Sequence, residues 1–277
     1  MQITVLNIPG NLIMKPKSLA EYVDNLQKRG RYAFSKLNAK RETGESDSVL
    51  KLSLWRLTKK QRIIKIREGF YAIIPLEYSA TGSLPPEWFI SDLMEYIDQP
   101  YYVGLLSAAA IFGAAHQQPQ EFHVVVPKVI RSMKAANIHI RFFQKINMKL
   151  SQVQKIKTQT GFMHISNPAV TAIDLLAYAG RVGGLDRIFT VLQELSEKLT
   201  AEMIVDAAKN EAQLSYIQRL GWLLEKGGYL NLVMQLADWI VKKNPRETPL
   251  DPSLPRKGFS RDSRWKVIVN AKVESEL

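Results

Sequence analysis

The sequence predicts an α+β protein in which a small, mainly helical N-terminal domain with a β-hairpin precedes a larger mixed α/β domain. Three observations support this class. Apolar residues recur at helical spacing in much of the first 60 residues and of residues 168–241, and short alternating or apolar runs typical of strands lie between them. The segment Ser79–Pro86 has linker composition. The length of 277 residues is sufficient for two domains.

The first elements are a possible strand and two helices. Residues 2–8 alternate between apolar and polar types, which suits a short strand or an arm. A first helix is predicted for Lys17–Arg29, where Ser18 and Glu21 have the spacing of a capping box. A short second helix is predicted for Phe34–Lys40.

A third helix is predicted to start at Ser46 or Asp47 and to extend to about Lys59. One side of it carries residues spaced three or four apart, namely Leu50, Leu54, Leu57 and Gln61. Leu52 falls on the opposite side. Residues 50–54 also alternate, so a strand is an alternative, but the apolar pattern continues at helical spacing and favours the helix.

A β-hairpin is predicted directly after the third helix. The isoleucines at positions 63, 64 and 66 lead to Gly69, which supplies the turn, and Phe70–Ile74 leads away until Pro75 ends the pattern. Three helices followed by a hairpin predict a winged helix-turn-helix over residues 1–78. Residues 79–86 are the predicted linker, and residues 87–277 the larger α/β domain.

The larger domain is predicted to combine a small sheet with a helical C-terminal part. Its first helices are predicted for Trp88–Ile97 and Tyr101–Ala115. Strands are predicted for Glu121–Pro127, Ile138–Phe143 and, as a pair, within Val153–Ile165. The later helices are predicted for Pro168–Tyr178, Leu185–Leu195, Ala201–Ala208, Gln213–Leu224 and Leu230–Val241. The tail Trp265–Val269 is predicted to be a last strand that rejoins the sheet.

The charge is concentrated near the N-terminus. The formal net charge is +12, and residues 1–80 contain 15 lysines and arginines against 7 acidic residues. Ser48–Tyr71 contains seven basic residues, and no acidic residue occurs between Ser48 and Arg67. Such a field attracts nucleic acid or acidic lipid. A basic helix followed by a basic hairpin has the shape that enters a DNA major groove and contacts the flanking phosphates, so the sequence predicts a DNA-binding protein.

Several other classes of protein are disfavoured. The chain contains no cysteine, which excludes disulfides, thiol catalysis and cysteine-based zinc fingers. No run of about 18 apolar residues is present, and the N-terminus lacks the features of a signal peptide, so we expect a cytoplasmic protein without a membrane partner. No P-loop, nucleophile elbow or dinucleotide-binding fingerprint occurs. We therefore expect neither an enzyme nor a cofactor.

The candidate DNA-binding residues fall into three groups. Lys51 and Arg56 are predicted to contact the groove, where arginine can read guanine through two hydrogen bonds. Ser48, near the helix start, is expected to meet a phosphate or a base or simply to cap the helix. The remaining candidates are predicted phosphate contacts, on the helix end and on the outer face of the hairpin: Lys59, Lys60, Arg62, Lys65 and Arg67. The alternative for all of them is a solvated surface.

Other polar residues receive structural interpretations. Trp55 is predicted to pack rather than to stack on a base. The basic series from Lys128 to Lys149 favours a solvated surface over an extension of the DNA footprint. The four histidines lack the spacing of metal ligands, although His123 and His139 are expected on neighbouring strands. Asp174 is interpreted as a group that anchors its helix.

The order of the motifs resembles that of a known family. The motifs are Arg67–Ala72 at the hairpin, Leu106–Gly113 in a helix, Phe122–Pro127 in a strand and Ile165–Leu176 leading into a helix. Together they resemble the AbiEi family of type IV antitoxins, which are transcriptional regulators from abortive phage infection loci, over roughly residues 20–270. The chain departs from the family at Glu68, where a more basic turn is common.

The resemblance implies a function for each domain. The N-terminal domain would bind inverted repeats in double-stranded DNA upstream of its own operon and repress it, with possible self-association on the DNA. The C-terminal domain would add DNA contacts and provide antitoxicity, counteracting a nucleotidyltransferase toxin without forming a stable complex. The alternative is a protein-interaction module with a basic region that associates with RNA or DNA and has no regulatory role.

Overall fold

We describe a computed structural model of the chain, which covers residues 16–79, 82, 84–114 and 119–275. The predicted strand or arm at residues 2–8 lies outside the described residues. The chain divides into two compact units, Met1–Pro85 and Pro86–Leu277. Both contain helices packed on β-sheet, so the predicted α+β class is confirmed.

In its described residues, the first unit contains three α-helices and three strands. In chain order they are α1 (Leu19–Lys28), β1 (Ala33–Ser35), α2 (Lys36–Thr43), α3 (Asp47–Lys59), β2 (Ile63–Arg67) and β3 (Phe70–Ile73). At the start of α1, the Ser18 hydroxyl accepts a hydrogen bond from the Glu21 amide at 3.3 Å, as predicted. The Glu21 carboxylate accepts from the Lys17 amide rather than from that of Ser18, so the capping box is only half formed.

A three-stranded antiparallel sheet completes this unit, in the order β1-β3-β2. Gly69 adopts φ 76°, the left-handed conformation that the tight turn between β2 and β3 requires. The prediction that Phe34 begins the second helix is wrong. Phe34 lies in β1 and stacks on Tyr71 with 5.5 Å between ring centroids, and Ser35 caps α2 by accepting from the Asn38 amide.

The second unit is built on a six-stranded mixed sheet with the order β6-β7-β5-β4-β9-β8. The elements that form it are α4 (Ile90–Ile97), β4 (Tyr102–Val103), α5 (Leu105–Ile111), β5 (Phe122–Val126), β6 (Met133–Ala135), β7 (Ile138–Gln144), β8 (Val153–Thr158) and β9 (Gly161–Ser166). The predicted strands at β5, β7, β8 and β9 are confirmed, whereas the short strand β6 was not predicted.

Five helices and three short strands follow the sheet. They are α6 (Pro168–Ala177), α7 (Gly184–Leu195), α8 (Ala201–Asn210), α9 (Leu214–Lys226), α10 (Leu230–Lys243), β10 (Thr248–Pro249), β11 (Arg261–Asp262) and β12 (Val267–Ile268). The five predicted helices are confirmed to within three residues at either end. Within the described residues, no helix is both long and apolar enough to cross a bilayer.

Two of the secondary-structure predictions for this unit are wrong. The helix predicted from Tyr101 begins only at Leu105, because Tyr102 and Val103 form β4 between β5 and β9. Gly104 lies between the strand and the helix. A larger residue does not fit there, because its Cβ would lie only 2.9 Å from Val125 Cγ2. The tail strand does not rejoin the main sheet. Instead β12 pairs with β10 and β11 in a separate three-stranded sheet.

A buried ionic network fixes α6 at the centre of the second unit. Asp174 is fully buried, and its carboxylate accepts from the Tyr102 hydroxyl and from Lys145 Nζ, both at 2.7 Å. Lys145 also pairs with Glu211 at the end of α8, at 3.2 Å. Burial lowers the pKa of Lys145, but the two carboxylates outweigh it and hold the pKa above its usual value. The interpretation of Asp174 as an anchor is thus confirmed.

Candidate nucleic-acid interface

Helix α3 has one buried side and one exposed side. Ser46 caps it, with its hydroxyl accepting from the Val49 amide at 3.4 Å. Leu50, Leu54 and Leu57 are buried against the rest of the first unit, as the helical spacing predicts. The helix is therefore held by three leucines on one side, which leaves the opposite side free to meet a ligand.

The exposed side of α3 brings together four of the candidate DNA-binding residues. At helical spacing it carries Ser48, Lys51, Leu52, Trp55, Arg56 and Lys59, all of them exposed. Within the described part of the chain, neither Lys51 nor Arg56 makes an ion pair. We call these six residues the α3 face. Their two free cations are available for hydrogen bonds to phosphates or bases.

The charge of the α3 face is purely basic. The acid next to it, Asp47, forms an ion pair with Lys40 of α2 at 2.8 Å. The hydrogen bond from Lys40 lowers the pKa of Asp47, so this carboxylate stays ionised and its charge is compensated from outside the face. Ser48 does not cap the helix, because Ser46 does so. The Ser48 hydroxyl lies 3.1 Å from that of Ser46 and remains exposed.

Two large apolar side chains lie in the middle of the α3 face. Leu52 is 46% exposed and Trp55 is 58% exposed. Lys59 Nζ lies 5.7 Å from the centre of the Trp55 ring, within the range of a cation–π contact. The prediction that Trp55 packs is wrong. Leu52 breaks the apolar pattern of the sequence because it belongs to this outward side.

Arg62 has an intramolecular partner. Its guanidinium donates to the Asp24 carboxylate at 2.6 Å and to the Gln27 side chain at 3.1 Å, both on α1. This bridge ties the start of the hairpin to α1. A phosphate contact by Arg62, as the sequence suggests, has to compete with it. Lys60 is exposed beside it, at the C-terminal end of α3.

The hairpin carries its basic residues near the turn. Lys65 is exposed and Ile66 is buried, as the alternation predicts, but a register shift between Lys65 and Arg67 leaves Arg67 partly buried. Lys65 forms an ion pair with Glu68 at the turn. This contact raises the pKa of Lys65 and lowers that of Glu68. Glu68 therefore compensates the charge of Lys65 at the hairpin tip.

The basic series of the second unit does not form one surface. Arg141 pairs with Glu121 at 3.0 Å, and Lys145 belongs to the buried network around Asp174. Lys128, Arg131, Lys134 and Lys149 are exposed. The expectation of a solvated surface is therefore wrong for Arg141 and Lys145. No pattern in the sequence links these cations to their acidic partners.

The histidines do not form a metal site in the part of the chain that the structure describes. His123 lies on β5 and His139 on the adjacent β7, as predicted, but they are not opposite one another, because His123 is paired with Arg141. No group of three histidine, aspartate or glutamate side chains in that part is arranged to hold a metal ion. His116 lies outside the described residues.

Comparisons with known proteins show that part of the second unit is similar to a known family. Residues 102–226 match the AbiEi antitoxin C-terminal domain, so the resemblance seen in the sequence is confirmed. No curated protein sequence matches the chain. The crystal structure of the RV2827C protein from Mycobacterium tuberculosis is similar, with a TM-score of 0.65 and 14% sequence identity over 89% of each chain. At this identity the likeness concerns the fold.

Proposed function

We propose that this chain, whose second unit carries an AbiEi antitoxin domain, is a type IV antitoxin that also binds DNA and represses its own operon. The AbiEi domain supports a role in a toxin–antitoxin system. The observation that carries the DNA-binding part is the α3 face, which presents free cations and exposed apolar side chains without an acidic residue.

In this proposal the first unit is a winged helix-turn-helix, with α3 as the recognition helix and β2–β3 as the wing. The B-DNA major groove is about 12 Å wide and admits an α-helix. The three buried leucines fix α3 against α1 and the sheet, so the helix is presented as a rigid element. Asp24 and Gln27 hold Arg62 at the point where the helix passes into the wing.

The proposal assigns different roles to the residues of the interface. Lys51 and Arg56 read base edges, and Leu52 and Trp55 contact thymine methyl groups, which are the apolar features of the major groove. Ser48, Lys59, Lys60 and Arg67 contact phosphates and set the register. Lys65 and Arg62 contribute less, because Glu68 and Asp24 compensate their charges.

The first experiment measures binding to the upstream DNA of the operon and to random DNA of equal length, across salt concentrations. Each phosphate contact contributes about −0.9 to the slope of log K against log salt. A slope of about −2 per protomer indicates that Lys59 and Lys60 act alone, and about −4.5 indicates that Arg62, Lys65 and Arg67 join them. A flat salt dependence, or equal affinity for both DNAs, contradicts the proposal.

A pair of matched double variants locates the interface. Lys51→Ala/Arg56→Ala removes two cations from the α3 face, and Arg256→Ala/Lys257→Ala removes two exposed cations from the second unit. Each base-reading contact is worth about 1–3 kcal/mol, so we expect the first variant to lose roughly a hundredfold or more in affinity for the upstream DNA. The second variant serves as the control for net charge and should bind as the wild type does.

The toxin partner in this proposal is a nucleotidyltransferase, counteracted without a stable complex. A nucleotidyltransferase gene next to that of this chain is the expected genomic context. Co-expression should restore growth, whereas size-exclusion chromatography of the mixed proteins should show separate peaks. A stable co-eluting complex contradicts the type IV assignment and favours the alternative, a protein-interaction module.

A further inference from the structure

We propose that the second unit binds a small phosphorylated ligand, a phosphate monoester of nucleotide size, in a cleft at the start of α7. The cleft has a volume of about 320 Å³, which lies within the range of small-molecule sites. Its wall includes Leu106, Glu121, His123, Arg181, Gly183 and Arg187. The site lies in a different unit from the α3 face and does not depend on DNA binding.

Two arginines give the cleft its positive charge. In the described part of the chain, neither Arg181 nor Arg187 forms an ion pair. The single acid of the wall, Glu121, is compensated by Arg141 at 3.0 Å. The Arg181 guanidinium lies 4.6 Å from the centre of the Phe143 ring, which orients it. Arginine is the side chain best suited to bind phosphate through paired hydrogen bonds.

The N-terminus of α7 adds hydrogen-bond donors at the same place. This helix has twelve residues, and its N-cap, Gly183, offers no side chain to its first amides. Gly183 adopts φ 106°, and a Cβ there would lie 2.6 Å from Cδ of Arg187. Glycine therefore permits Arg187 to lie across the helix start. The free amides and the helix dipole favour an anion here.

His123 provides an independent observation that favours a ligand in this cleft. This residue lines the cleft and has a relative exposure of only 3%. Nε2 is 3.8 Å from the Glu121 carboxylate, and Nδ1 has no hydrogen-bond partner among the residues that the structure describes. Buried polar atoms normally have partners. The imidazole is neutral because burial lowers its pKa to about 4, and with its single proton on Nδ1 it donates to a ligand oxygen in the cleft.

The apolar residues of the cleft wall favour a ligand larger than phosphate itself. Leu106, Pro119 and Val182 provide apolar surface beside the arginines. A phosphate at the start of α7 leaves room for a carbon framework against this surface. Asp186 in the first turn of α7 does not occupy the site, because its carboxylate accepts a hydrogen bond from the Glu274 amide at 2.9 Å.

Calorimetric titration of the full-length protein with AMP, inorganic phosphate and adenosine tests the proposal. We expect saturable binding of AMP, weaker binding of phosphate and none of adenosine. Arg181→Gln and Arg187→Gln should each weaken AMP binding roughly tenfold or more, the usual effect of losing a charge-assisted contact. Arg131→Gln removes an exposed cation outside the cleft and should have no effect.

Three outcomes overturn the proposal: no binding of AMP or phosphate at millimolar concentration, equal loss in the Arg131→Gln and Arg187→Gln proteins, or loss of AMP binding in the Lys51→Ala/Arg56→Ala protein. The last of these would place the phosphate on the α3 face. Arg181 is exposed, so its variant tests the site even if replacing the packed Arg187 impairs folding. In the folded proteins, the ring nitrogen signals of His123 should shift with AMP and should stay fixed in Arg187→Gln.

Discussion

The imidazole of His123 lies on β5 between the Phe143 ring and the Glu121 carboxylate. Its centroid is 4.9 Å from that of Phe143, in an edge-to-face arrangement. Burial is the main cause that lowers the pKa of this histidine to about 4, and the cations Arg141 and Arg187 act in the same direction. The Glu121 carboxylate raises the pKa of His123, but its effect is smaller than the combined lowering. The folded protein therefore keeps His123 neutral over the whole physiological range.

This pKa makes the stability of the second unit depend on pH. The unfolded chain takes up a proton below its pKa of about 6.5, whereas the folded chain does so only near 4, so stability is lost as the pH falls from 7 to 4. The shift corresponds to about 3 kcal/mol. We expect urea unfolding, followed by tryptophan fluorescence, to show a smaller loss over this interval in His123→Phe than in the wild type. Parallel losses in both proteins would contradict this assignment.

At the scale of the element, α3 combines a fixed side and a free side. Its leucines at positions 50, 54 and 57 bury one side, and its outward side carries two large apolar groups among cations. Exposed Leu52 and Trp55 lose contact with water only when a partner covers them. Their position between Lys51 and Arg56 suits thymine methyl groups between phosphates and base edges.

Trp55→Ala therefore tests sequence preference separately from general affinity. We expect affinity for the upstream DNA to fall about tenfold, because apolar contact to base edges is lost, while affinity for random DNA and the salt slope stay unchanged. Fluorescence anisotropy with both DNAs measures the two effects. Leu76→Ala is a suitable control, because Leu76 is also exposed but lies after the hairpin. An equal loss on random DNA would show that Trp55 does not read sequence.

The hairpin tip offers a test in the opposite direction. Glu68→Gln removes the acid that pairs with Lys65 and frees this cation for a phosphate. Binding should tighten, and the salt slope should become steeper by about 0.9. The fold should remain equally stable, because exposed ion pairs contribute only about 0–1 kcal/mol. An unchanged slope in salt titrations would mean that the hairpin tip does not reach the DNA backbone.

At the scale of the whole molecule, locally encoded features were predictable from the sequence, and features joined across the chain were not. Ser18, Ser46 and Gly69 mark their helix starts and turn within a few residues. By contrast, Arg62 is hydrogen-bonded to Asp24, which lies 38 residues away in the sequence, and no sequence pattern predicts such a pair. The two-residue strand β4 was mistaken for helix because its pairing partners, β5 and β9, lie far along the chain.

The cleft at the start of α7 could not be predicted from the sequence, for the same reason. Residues 180–184 include three glycines, Gly183 among them, but the histidine and the arginines of the cleft come from separate elements. His123 comes from β5, while Arg181 and Arg187 flank the start of α7. Only the register of the sheet and the packing of α7 bring these groups together. In the sequence alone, each of these charged residues is indistinguishable from a residue on a solvated surface.

The division into two units predicts that the proposed DNA binding and the proposed toxin counteraction can be separated. The AbiEi match lies entirely within the second unit, and Lys51 and Arg56 are exposed on the first, outside the cores of both. Lys51→Ala/Arg56→Ala should therefore abolish repression of a reporter placed under the upstream DNA while leaving toxin counteraction in a growth assay intact.

Asp174→Ala is the complementary variant. It leaves Lys145 with Glu211 as its remaining carboxylate partner in a buried network, and breaking a buried pair costs about 3–5 kcal/mol, so counteraction should fail through loss of the folded second unit. If the α3 variant lost both activities with an unchanged melting temperature, the two functions would share one surface and the proposed division of labour would be wrong.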